Sequence, residues 1–196
     1  MCPPVDPSWA GQQSDYRERD ASASIHWNYE DNWKYHTGPA IERLTKGEFS
    51  RYVMADLNFT FNHWPNHADA LLALARYAQG GGKPYEFLVP ECYFQRARQF
   101  APTDPNVPLI EGMFLFKKGM AAESERAFKD ALELDPSSAE AHYNLGLVHF
   151  AQKDYAAARE HAISAYRLGY PLPGLKNKLA SVGQWNETDL SAAGHN

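Results

Sequence analysis

The chain has no Gly-x-Ser-x-Gly, no His-Glu-x-x-His and no Cys-x-x-Cys. Those absences remove the nucleophile elbow, the two-histidine zinc helix and the reactive dithiol. Gly80-Gly81-Gly82 is followed by Lys83, but the Gly-x-x-x-x-Gly-Lys-Ser/Thr spacing is missing. These glycines also follow a helical run instead of a strand, so they do not read as a phosphate loop. There is no basic excess: 19 Lys and Arg against 24 Asp and Glu leave a net charge of −5. A phosphate-binding face needs the opposite balance, so nucleic acid is not an expected partner. No apolar run reaches the length of about 18 residues that a membrane span needs. Cysteine is scarce as well. Cys2 and Cys92 can make one disulfide at most, too few for a stapled framework. The simpler expectation is that Cys92 is a small buried hydrophobe on a helix and Cys2 a tail thiol.

Against these absences stands a repeat. Hydrophobic residues make up 44% and charged residues 22% of the 196, the balance of a chain that can bury a core. Setting Pro105–Ser138 above Ala139–Leu172 keeps register at a spacing of 34. Gly112 falls above Gly146, Ala131 above Ala165 and Leu134 above Leu168. Each copy has two apolar-periodic runs broken by a turn, at Gly119-Met120 and at Lys153-Asp154. Two helices per 34-residue period is the pattern of a stacked helical repeat.

The stretches Ala139-Glu-Ala-His-Tyr-Asn-Leu-Gly146, Lys153-Asp-Tyr-Ala-Ala-Ala158 and Ala165-Tyr-Arg-Leu168 resemble the tetratricopeptide repeat. Gly119 with Phe128-Lys-Asp-Ala131-Leu-Glu-Leu-Asp-Pro136 resembles it too. Tyr170-Pro-Leu-Pro-Gly-Leu-Lys-Asn-Lys-Leu179, Phe61-Asn-His-Trp-Pro-Asn-His67 and Glu91-Cys-Tyr-Phe94 look like a proteobacterial group of small tetratricopeptide proteins. The resemblance covers roughly residues 36–185. It implies an all-α, right-handed α-solenoid of about three to four helix pairs, with a capping helix and an irregular N-terminal arm. It also implies a bacterial source and a protein partner in place of a substrate.

The organisation follows from the punctuation. Residues 1–33 form a Pro- and aromatic-rich arm, since Pro3, Pro4 and Pro7 withhold helix donors. Trp9, Trp27, Tyr29 and Trp33 are candidate contact residues on it. Each aromatic buries roughly 150–250 Å² when it docks, so the arm is expected to lie on the repeats. Residues 34–66 read as a worn helix pair. It starts at the cap candidate Thr37 before Pro39, and Phe49, Tyr52, Val53, Leu57 and Phe61 follow at helical spacing. Residues 67–103 form a unit with an insertion in the Gly80–Leu88 turn, because Pro65 to Pro102 is 37 residues and Pro102 to Pro136 is 34. Residues 104–138 and 139–170 are the two clear units. Residues 171–196 hold a capping helix, with Leu175, Leu179 and Val182 on its apolar side, and a tail.

The family lines a concave groove with the first helix of each unit. Carried onto this chain, the groove places are Asp69, Leu72 and Arg76; then Asn106, Leu109, Met113, Phe116 and Lys117; then Glu140, Tyr143, Leu147 and Phe150. The line is apolar enough to mark a contact surface for a partner helix or peptide, or for the chain's own arm or last helix. Arg76 and Lys117 could anchor a carboxylate, but they are too few for the basic clamp of the chaperone-binding subgroup.

The eight histidines carry the remaining chemistry. His142 and His149 lie two helical turns apart, about 10 Å, which is too far for one metal without a third element between them. They read as core positions held by imidazole. No catalytic residue, cofactor or metal is expected. Met1-Cys2-Pro3-Pro4 has neither the basic start nor the apolar core of an export signal. The loose Pro-rich opening is typical of mature exported proteins, so a periplasmic or envelope-associated location is expected, with the cytoplasm as the alternative. Cys2 is then a candidate lipid acceptor. The expected function is a non-enzymatic scaffold or assembly factor. The alternatives are a structural subunit of an envelope complex that binds through its arm, or a metal- or cofactor-handling accessory protein.

Overall fold

The structure is a computed structural model that describes residues 2, 13–18, 31–83, 87–186 and 190. Trp9, Trp27 and Tyr29 lie outside the described residues. Among the described residues all regular structure is helical: a 3-10 turn, Tyr16–Glu18, a π-helix, Trp33–Thr37, and nine α-helices. These are α1 (Gly38–Thr45), α2 (Arg51–His63), α3 (Ala68–Gln79), α4 (Pro90–Phe100), α5 (Asn106–Lys117), α6 (Ala121–Leu134), α7 (Ala139–Ala151), α8 (Tyr155–Arg167) and α9 (Gly174–Ser181). They form the helix pairs of an α-solenoid. None is long and apolar enough to cross a membrane. The chain divides into two compact units, Met1–Glu111 and Gly112–Asn196, and the division falls inside α5.

In the first unit, α3 is built from strong helix formers and turns its Ala70, Leu71, Ala73, Leu74 and Tyr77 inward. α2 buries Val53, Met54, Leu57, Thr60 and Phe61, and α4 buries Cys92, Tyr93, Phe94 and Ala97. α2 stops two residues before Pro65, and α4 two before Pro102, because the residue ahead of a proline is pushed out of the helical region.

Two expectations fail here, the cap at Thr37 and the free thiols. Thr37 is no cap: the π-helix runs straight into α1, and Thr37 keeps helical backbone angles (φ −63°, ψ −50°). Its buried hydroxyl is engaged instead with Asn32 Oδ1 (2.8 Å) and Thr60 Oγ1 (2.9 Å). Tyr52 is 65% exposed, since the buried stripe of α2 runs through Val53, Leu57 and Thr60 and leaves position 52 outside. Cys2 and Cys92 are not free thiols but a disulfide across 90 residues of sequence. A sulfur in a disulfide has no bond left for a thioether, so Cys2 carries no lipid anchor in this form.

In the second unit the small residues sit where the helices close on one another. A Cβ on Gly112 would lie 2.7 Å from the Phe128 ring, and one on Gly146 would lie 2.5 Å from Leu175 and 3.2 Å from the Ala158 carbonyl. Ser124, fully buried on α6, donates to the Gly112 carbonyl at 2.8 Å. Side-chain caps start the next helices: Ser138 accepts from Ala141 N at 3.2 Å, and Asp154 from Ala157 N at 3.1 Å. α9 covers the last apolar face with Leu175 and Leu179, both at 0% exposure. Val182, expected beside them, is 39% exposed because α9 ends at Ser181. The turn at Gly183 (φ +70°) follows, and Trp185 fills the cluster instead.

Candidate functional site

The places assigned to the groove differ sharply in what covers them. In the first unit Asp69, Leu72 and Arg76 are exposed on α3, and Arg76 forms no salt bridge with any described residue. Leu109 is buried. Asn106 is claimed by the arm: its Nδ2 donates to Tyr16 Oη at 2.9 Å, and its backbone N–H to Asp104 Oδ1 at 3.0 Å.

That contact belongs to a polar lock. Asp104 is fully buried, and Asn66 Nδ2 donates both to it (2.9 Å) and to Asp15 Oδ1 (2.8 Å). Arg17 Nε donates to Asp15 at 3.0 Å and lies 3.7 Å from Asp104 Oδ2. Ser14 N–H donates to the His63 carbonyl at 2.8 Å, and the Tyr16 ring stacks on His67 at 5.7 Å. Burial alone would raise the Asp15 carboxyl, but hydrogen bonds from Arg17 and Asn66 outweigh it and hold it below its ordinary value. Burial, with the Asp104 charge alongside, pushes the Tyr16 phenol up to about 12. Residues 13–18 are therefore docked on the first unit. Trp33 stays 39% exposed, with its ring 6.2 Å from that of His67.

In the second unit Met113 and Phe116 are half-buried and Lys117 is exposed, all on one side of α5. Glu140 is exposed on α7. The other α7 positions are closed by the chain itself. Tyr143 is buried under Tyr170 (ring centroids 4.1 Å, stacked), and a Cβ on Gly174 would lie 2.6 Å from its hydroxyl. Leu147 and Phe150 pack against the Leu175, Leu179 and Trp185 cluster, and Lys178 Nζ lies 5.7 Å over the Phe150 ring.

The same spacing and close-packed glycines match a family model, described as tetratricopeptide repeat, over residues 112–169. Residues 112–169 are a tetratricopeptide repeat segment. Of 35 solved chains that match, one comes from the functional characterization of pilF from Pseudomonas aeruginosa. It is 22% identical, with a TM-score of 0.61, over 78% of this chain and 68% of that one. At that identity the likeness is one of fold. No curated protein matches.

Tetratricopeptide repeats mediate protein–protein contacts through helix faces of this kind. Here α9 and Tyr170 occupy the end nearest Tyr143 and Phe150, and the arm occupies Asn106. Leu72 and Arg76 in one unit, and Met113, Phe116 and Lys117 in the other, stay accessible. Among the described residues no three His, Cys, Asp or Glu side chains are placed to hold a metal ion. Reading the sequence missed His161, which lies between His142 and His149. One signal was available: 34 residues earlier its place holds Ala127, which is buried at 3% exposure.

Proposed function

We propose that this protein is a non-enzymatic scaffold or assembly factor that binds a partner helix or extended peptide along the first helices of its repeats. The observation that carries this reading is the accessible side of α5, where half-buried Met113 and Phe116 adjoin exposed Lys117 inside the matched family segment. A half-buried aromatic beside a cation with no salt-bridge partner among the described residues suits an amphipathic segment carrying a carboxylate. Leu72 and Arg76 on α3 offer the same pairing of an apolar and a cationic group. The Cys2–Cys92 disulfide supports an oxidising compartment, the periplasm or envelope.

A photo-crosslinking residue at position 116, with one at exposed Tyr52 as control, tests the reading in the cells that make the protein. Capture of one partner in stoichiometric yield at 116, lost with Lys117→Glu while circular dichroism is unchanged, supports it. Equal capture at 52 and 116 would instead place the contact outside the repeat face.

A further inference from the structure

We propose that His142, His161 and His149 form an acid-sensitive latch, which holds α7 against α8 while the imidazoles are neutral and loosens the pair when they are charged. The three rings make a continuous row. His142 Nδ1 and His161 Nδ1 face each other at 3.1 Å, and the His161 and His149 rings stack within 3° of parallel at 5.4 Å. The hydrogens can be assigned from their partners. A carbonyl only accepts, so His142 Nε2 donates to Pro136 O at 3.3 Å, which leaves its Nδ1 bare. His161 Nδ1–H then donates to His142 Nδ1, and His161 Nε2 is the bare atom. The gap between the facing nitrogens has room for one hydrogen. A second positive charge on the pair therefore forces the two rings apart.

The row lies where α7 packs closely on α8. His161 Cβ would be 3.4 Å from a Cβ on Gly146, and the Ala158 carbonyl 3.2 Å from it. His149 is buried, its Nδ1 has no hydrogen-bond partner among the described residues, and the Asp154 carboxylate is 4.0 Å away. From α6 the charged groups facing the row are Glu125 and Lys129, already joined to each other at 2.7 Å. Glu125 also accepts from Gln152 Nε2 at 3.1 Å, so its charge is spoken for before any imidazolium forms. Burial first, then His142, His149 and Lys129, push the His161 imidazole down to about 4, against a smaller opposing pull from Glu125. The folded value lies below the ordinary 6.5. The stabilisation is thus complete above about pH 6.5 and is lost as the pH falls toward 4.

Imidazole nitrogen spectra of the full chain between pH 8 and 4, paired with urea unfolding at each pH, test this. The expected result is His161 as the Nδ1–H tautomer, titrating well below its ordinary value. The unfolding constant of the second unit should rise by roughly tenfold between pH 7 and 5, allowing for the exposed part of the ring. His161→Phe keeps a flat ring without a proton site and should flatten that slope. His161 found as the Nε2–H tautomer, or titrating near its ordinary value, overturns the latch even if the variant does not fold. So does an unchanged slope in His161→Phe.

Discussion

Lys153 makes the same left-handed turn, φ +64°, that Gly119 makes 34 residues earlier at φ +79°. Both residues end the first helix of a unit and start the chain toward the second. Glycine does so without penalty, whereas a Cβ in that region costs about 1–2 kcal/mol. Lys153→Gly recovers part of this and returns some to the freer unfolded chain, for a net gain of about 0.5–1 kcal/mol. A higher urea midpoint with an unchanged slope is the expected result, and an unchanged or lower midpoint would count against strain at Lys153.

Gly112 is the opposite case, where space and not backbone angle excludes a side chain. A Cβ there would meet the Phe128 ring at 2.7 Å, and Phe128 is fully buried with no room to retreat. Gly112→Val should lower stability by about 1–3 kcal/mol through overpacking. Phe128→Leu in the same chain should return part of the loss, measured as a double-mutant cycle.

The disulfide acts on one unit alone. Cys2 and Cys92 both lie in the first unit, so reduction should cost that unit about 2–4 kcal/mol. Amide exchange read segment by segment gives the check. Protection should fall in α4 on adding reductant and stay unchanged in α8; equal losses in both would refute the assignment.

Alkali should find three slow phenols. Burial pushes Tyr16, Tyr93 and Tyr170 each up to about 12. A raised folded value means the contribution is whole below the ordinary 10 and is lost as the pH climbs toward 12. An ultraviolet titration should therefore show a lagging group of tyrosines whose ionisation coincides with loss of helix signal. Titration of all tyrosines in one ordinary step would show that these rings are not buried.

Much of the fold was legible because the repeat writes its packing into small residues and prolines. Gly112, Ala131, Gly146 and Ala165 mark where helices touch, and Pro65, Pro102 and Pro136 mark where they stop. Contacts that depend on where a non-repeating segment lands were not legible. Nothing at Cys2 announces Cys92, and Asp104 gives no sign that it closes on Asn66 and faces Arg17. Of the groove places, the repeat register put Leu72, Met113 and Phe116 on the first helices of their units, where the structure leaves Leu72 exposed and Met113 and Phe116 half-buried. It could not show that Tyr170 would lie across Tyr143, since Tyr170 follows the last repeat and has no counterpart to compare. Val182 misled for a related reason: apolar spacing extends a helix on paper past the point where Gly183 turns the chain.

The link between residue 2 and α4 also decides how the protein bears a load. A pull applied at the start of the chain passes through the disulfide to Cys92, and the chain between them, a sequence separation of 90, forms a closed loop that the force bypasses. Fully extended, that loop would be roughly 300 Å of slack, all of it withheld while the bond is oxidised. Tethered by its first residues, the protein would yield from α4 onward, and α1, α2 and α3 would be shielded from the load until a reductant reached the bond.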